Sequence, residues 1–272
     1  MSPAVRIILL SLLGCSFKEP KPSTDSRRGE LQAMYDSRLA EYNASTSADH
    51  GWPSTKDCDG VLWAGLACYA GAEVDIGLAE YEPGRIERRP APSCYPDESG
   101  STISRDQLTG YIACRWRKND TEALKRLADY GEVHSWIMGE PGWKLDLVFM
   151  GQNLQAILGK MIDRYKDLQI TFAPLNRDYE RHIQTIQINL LADLAKLDFL
   201  QLDRVNQNVK YDNQDALFQA TKGKFSGDMQ EAVTLLLSAD YKCPSYVRGA
   251  DKYCAVHWLL ATRVALDSLK EE

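Results

Sequence analysis

The chain has 272 residues, with 32 lysines and arginines against 38 aspartates and glutamates, a net charge of −6. The length allows one large domain or two small ones, and a chain of this size buries about 70% of the surface exposed by its unfolded form. The basic patches, Arg85 with Arg88 and Arg89 and then Arg115 with Arg117 and Lys118, are short and interleaved with acids, which argues against nucleic acid as the main partner. No apolar run is long enough for a membrane-spanning helix.

In chain order, the first element is a signal-peptide pattern. Arg6 and the amino terminus supply the positive end, Ile7 to Leu13 the apolar stretch, and Gly14 a small residue before cleavage. Leu12-Leu13-Gly14-Cys15 then resembles the bacterial lipobox. The resemblance covers residues 1–15. It implies that residues 1–14 are removed and that the Cys15 thiol carries a diacylglyceryl group. The partner is then a membrane, and acyl chains worth ~0.8 kcal/mol per buried CH₂ hold the protein there. Ser16 at the following position resembles the outer-membrane sorting preference of enteric bacteria, so the expected location is the cell envelope. Residues 15–25, polar and with two prolines, read as a lipidated tether, and residues 26–272 as one helical domain.

Six cysteines remain after Cys15, an even number suited to disulfides in an oxidising compartment. Cys243 and Cys254, which bracket a proline-containing turn into the last helix, are the expected pair. Cys68 and Cys114 fit equally well as small buried residues on helical faces. There is no CxxC spacing and the four histidines are scattered, so neither a metal site nor a cofactor is expected.

Apolar residues then recur with helical spacing. A helix is predicted over 27–44, followed by an almost wholly apolar one opening after Asp59, whose composition belongs at a domain centre. A short helix over 73–81 precedes a long loop, 82–102. Ser104-Arg105-Asp106-Gln107 has the Ser-x-x-Gln form of a capping box, and a second helix begins after Asn119 or Asp120, so the two read as a helical hairpin. A loop with Trp136 and Trp143 leads to helices at 145–166, 177–205, 213–222, 227–238 and 250–270. No alternating β-branched run competes, and the fold class is all-α.

Helices joined by loops that gather Trp, Asp, Glu and Arg resemble, weakly, the helical-hairpin barrels called (α/α) toroids, over about residues 57 to 265. The chain is short for a complete ring, which leaves a partial toroid or an irregular helical bundle. The resemblance implies a glycan as ligand. Bond cleavage in a glycan needs an acid and a base, both carboxyls, one of raised pKa and its partner ionised. The candidates are Asp106, Asp57, Asp59 and Glu140, with Arg105 orienting Asp106 and Trp136 or Trp143 stacking on sugar faces. Each has a plainer role open to it: Asp57, Asp59 and Asp106 as helix-end residues, and the tryptophans as loop anchors. The alternative function is a non-catalytic surface lipoprotein for protein recognition, such as a phage-related exclusion or attachment factor. No GxSxG, P-loop, GxGxxG or HExxH pattern supports another chemistry.

Overall fold

Helix α1 (Thr24–Thr46) turns Leu31, Tyr35 and Tyr42 inward, and its two tyrosines also anchor it. The Tyr35 hydroxyl donates to the carbonyl of Ala70, and that of Tyr42 to Gly51 O at 3.0 Å. Each phenol thus buries a ring and satisfies a loop carbonyl. In this computed structural model the described residues are 24–54, 58–88, 102–139, 147–195, 198–250 and 252–269. Cys15 with the signal peptide and most of the tether, Asp57, Cys94, Glu140 and Trp143 lie outside them.

Every residue of α2 (Gly60–Tyr69) is buried. Its sequence offers no polar side chain to water, so it must be surrounded. Its closest neighbour is α3 (Arg105–Arg117). The two run in the same direction: Cys58 O accepts from Gln107 Nε2 at 2.8 Å, Gly65 meets Gly110, and Cys68 is disulfide-bonded to Cys114. A Cβ on Gly65 would lie 2.1 Å from the Gly110 carbonyl oxygen, and one on Gly110 2.6 Å from that of Leu62. Only glycines let two helix backbones approach so closely.

A parallel pair needs a long return connection, and the chain supplies it. Where the spacing predicts a helix over 73–81, there is only a 3₁₀ turn, Ile76–Ala79, followed by a hairpin of β1 (Glu80–Glu82) and β2 (Arg85–Ile86). Glu80 ties this hairpin to the helices, accepting from Arg126 Nε and Nη2 at 2.8 and 2.9 Å and from Tyr111 Oη at 3.1 Å. Burial opposes its charge, but hydrogen bonds from Arg126 and from the Gly84 amide hold its pKa at about 2.

Asp120 caps α4 (Thr121–Val133), and the short α3–α4 turn makes the expected hairpin. Two predicted helices are cut. Val148–Phe149 is a strand, β4, paired antiparallel with β3 (Ile137–Gly139), so α5 spans only Gln152–Met161. The long helix over 177–205 is two: α6 (Asp178–Ala192) stops, and Asp198 with Gln201 forms a reciprocal capping box that opens α7 (Phe199–Tyr211). A new cap restarts the chain in a new direction although the apolar spacing runs on. The last helices, α8 (Ala216–Ser226), α9 (Gln230–Leu236) and α10 (Lys252–Ser268), fall close to their predicted spans. α10 packs on α1, α2, α8 and α9, and buried residues from α1 to α10 form one continuous core. The fold is all-α, with two small hairpins among the described residues.

Candidate functional site

Because α2 and α3 are parallel, their first residues share one end of the bundle, and with them Asp59 and Asp106. Neither acid caps its helix. Asp59 makes no side-chain capping bond; its Oδ1 faces Arg88 Nη1 at 3.5 Å, and Arg88 also donates to Cys58 O. At α3 the cap is Ser104, whose Oγ accepts from Gln107 N at 3.5 Å, so Asp106 is free of that duty. The phenol of Tyr179, the second residue of α6, lies close enough to act on its charge.

Burial raises the pKa of the Asp106 carboxyl. The Tyr179 hydrogen bond and the Arg105 charge oppose this, Asp59 reinforces it and Arg88 opposes it, and the outcome is upward. Tyr179 is pushed up by burial and by both carboxylates, so it stays a neutral donor. Asp106, Asp59, Tyr179, Arg88 and Arg105 therefore act electrostatically as one cluster.

Three cavities surround it. The first, about 420 Å³, has Arg105 and Asp106 at one wall and amide side chains from α5 and α6 at the others. Gln152, Gln184 and Gln187 use their Nε2 groups on Gln169 O, Ala173 O and Thr109 Oγ1. Their amide oxygens remain as acceptors for a ligand hydroxyl. The second, about 380 Å³, shares Arg105, Asp106 and Gly151 with the first and adds Arg88 and the half-exposed side chains of Leu147 and Phe149. The third, about 570 Å³, is lined by Tyr179, Asp59, Trp63, Arg177, Tyr246 and Arg248 among others.

Behind Tyr246 lies a buried polar centre that spacing did not reveal. The Tyr246 hydroxyl donates to Asp215 Oδ2 and contacts His182 Nδ1 at 3.1 Å and His257 Nε2 at 3.2 Å. Asp215, His182 and His257 are fully buried. Asp215 also caps α8 through Leu217 N and Phe218 N. Burial would raise its pKa, but the charge and hydrogen bond of His257 and the hydrogen bond from Tyr246 bring it below the usual value. Burial, and then His257, push His182 down to about 3, so it is neutral, and its Nε2 has no partner.

Among the sequence-predicted residues, Asp59, Asp106 and Arg105 come together. Arg105 is solvent-exposed and acts on Asp106 through its charge, and Tyr179 lies beside the same carboxyl. Trp136 lines none of the three cavities. At φ 62° it sits against Gly131, whose added Cβ would lie 2.6 Å from the indole, and edge-on to Tyr165. It anchors the exit from α4. Cys243 and Cys254 are half-buried thiols without a covalent bond between them, and the disulfide among the described residues is Cys68–Cys114.

Among the described residues, no helix is long and apolar enough to cross a membrane, and no group of three His, Cys, Asp or Glu residues is placed to hold a metal ion. The site and fold define an all-α protein with a carboxylate pair at one end of its bundle. No protein-family model, curated protein or solved structure matches the chain.

Proposed function

We propose that this chain is an exported, membrane-anchored lipoprotein that binds or cleaves an envelope or extracellular glycan. The observation that carries the reading is that Asp106, its pKa raised, stands at the wall of an amide-lined cavity and within electrostatic reach of Asp59. Amide oxygens suit sugar hydroxyls, and a carboxyl whose pKa is shifted upward suits proton donation to a glycosidic leaving oxygen. In the catalytic form of the proposal, Asp106 is the acid, beside the phenol of Tyr179, and Asp59 the second carboxylate, held by Arg88. Sequence alone supports the anchor, through residues 1–15.

The test is turnover and binding of a panel of peptidoglycan and exopolysaccharide fragments by wild type and Asp106→Asn. The expected result is loss of turnover by about 10²-fold or more, with fold and binding retained. Undiminished turnover in the folded variant removes Asp106 from the mechanism. A wild type that neither binds nor cleaves any glycan favours a second reading, protein recognition. Phe199 and Leu200, 80% and 61% exposed at the start of α7, favour that reading. Detergent partitioning and intact mass of wild type against Cys15→Ala test the anchor, and an unmodified, freely soluble wild type refutes it.

A further inference from the structure

Several helix ends meet at the end of the bundle remote from Asp59 and Asp106. Tyr69 closes α2, Arg117 closes α3, Asp193 follows α6, and Lys224 and Asp267 lie in the last turns of α8 and α10; together they line one cavity of about 220 Å³. Asp193 joins three of these ends, accepting from Tyr69 Oη at 2.6 Å and from Lys224 Nζ at 2.8 Å. The start of α1 comes to the same end, because α1 runs antiparallel to α10: Lys252 Nζ donates to Ser45 O at 2.8 Å, and Arg38 lies over the Trp258 ring at 4.1 Å. One turn into α1, Arg27 Nη2 donates to Thr234 Oγ1 of α9 at 3.0 Å. α7 also starts here. It folds back along α6, with Asn208 Nδ2 donating to Thr185 Oγ1 at 3.1 Å and the Tyr211 hydroxyl to Asp178, so the exposed Phe199 and Leu200 stand beside the end of α6. Leu147 and Phe149, also exposed, border the cavity of Asp106 instead and belong to that site.

We propose that this end of the bundle, with Phe199 and Leu200 as its apolar contacts, docks on the lipid bilayer that holds Cys15, and that Asp59 and Asp106 face away from it. The inference rests on the anchored lipoprotein reading above. The length of chain before α1 sets the occupant. Cys15 to Ser23 are nine residues, and at no more than ~3.3–3.6 Å each they reach about 30 Å before Thr24 opens α1. Acyl chains on Cys15 therefore hold a bilayer within that reach of the end that carries Phe199 and Leu200. Two exposed apolar side chains so placed leave water by entering the interface, a region that suits an aromatic ring.

The docked end and the carboxylates are well separated. α6 has 15 residues, so at ~1.5 Å per residue Tyr179, near its start, lies about 20 Å from its far end. Asp59 and Asp106 share the Tyr179 end. The site then meets a glycan standing off the bilayer, and not a sugar carried on a lipid headgroup beneath the protein.

The test binds the full chain, with its native amino terminus, to vesicles of phosphatidylcholine and phosphatidylglycerol that include a phospholipid with a photoreactive acyl chain, and maps the adducts by peptide mass. The expected adducts fall on 199–203, with none on the peptides that carry Asp59, Asp106 or Phe149. The double variant Phe199→Ser with Leu200→Ser should lower labelling of α7 at least ~10-fold and leave glycan binding unchanged. Adducts spread evenly over the surface, adducts concentrated on the peptides of Asp59, Asp106 or Phe149, or undiminished α7 labelling in the double variant overturn the docking. A chain unlabelled at 199–203 that self-associates until the double variant dissolves the complex gives this surface to a second copy and overturns it equally. A saccharide on a lipid of the same vesicle that binds as tightly as the free saccharide overturns the outward orientation.

Intact mass judges the anchor separately. A chain without lipid defeats the anchor; if it still floats with vesicles and is labelled at 199–203 the docking stands without it, and if it does not float both fall. A chain that binds no glycan defeats the proposed ligand while the adduct map still judges the docked face.

Discussion

Tyr246→Phe is a sharp test of the buried centre, because it removes one oxygen atom and leaves the ring. That oxygen donates to Asp215 Oδ2 and lies 3.1 and 3.2 Å from ring nitrogens of His182 and His257. A hydrogen bond to a charged group contributes about 1.5–3 kcal/mol, and a buried partner left unsatisfied costs about 1–3 kcal/mol. Asp215 keeps its two backbone donors and His257, so the second penalty falls mainly on the histidine nitrogens. The expected loss is about 2–4 kcal/mol, measured by urea unfolding at neutral pH with an unchanged denaturant slope. Tyr241→Phe, which removes a single contact to His257, should lose about half as much. A loss under ~0.5 kcal/mol for Tyr246→Phe, or a larger one for Tyr241→Phe, would refute the assignment of Tyr246 as the hub.

Other perturbations separate the remaining parts. His182 has a folded pKa of about 3 against an ordinary 6.5, so the unfolded chain binds the extra proton between those values. Stability should fall as pH drops from 6.5, by up to about 1.4 kcal/mol per unit, and His182→Gln should flatten that slope in a pH series of urea melts. Glu80 contributes in a lower window, its stabilisation present above 4.5 and lost as pH falls towards 2, so Glu80→Gln should lower stability at neutral pH and flatten the acid limb below 4.5, leaving the slope between 4.5 and 6.5 unchanged. Gly110→Ala should cost at least the upper part of the ~1–3 kcal/mol overpacking range, since its Cβ meets helix backbone. Gly29→Ala, with nothing within 4 Å in α1, should instead gain ~0.5–1 kcal/mol. Calorimetry of both glycine variants checks the signs.

Local chemistry made much of the helix map legible. Ser104 with Gln107 marks α3, Asp120 marks α4, and the polar-free run after Asp59 marks the central helix. The Asp198-x-x-Gln201 cap of α7 was also in the sequence, but continuing apolar spacing from Ile183 masked the break. β3 and β4 were not legible, because each strand is too short to show alternation and is defined only by its partner. The disulfide has a signal in the sequence: Gly65 precedes Cys68, and Gly110 precedes Cys114, by about one turn. A tight helix crossing follows from the glycines, and the sulfurs one turn along then meet. Of the site, the two acids at helix starts could be read. Tyr179, Arg88 and the Tyr246 centre could not, since they arrive from distant segments and no spacing connects them.

The backbone contact between Gly65 and Gly110, with the disulfide a turn beyond, makes α2 and α3 one rigid piece. Asp59 and Asp106 are mounted on the same end of that piece, like the jaws of a caliper locked at one gauge. Any ligand must accept the gap as it finds it. Adjustment to different ligands then falls to parts outside the lock, the start of α6 with Tyr179 and the 241–250 segment. Variation that retunes selectivity should gather there, while the gauge between the carboxylates holds still.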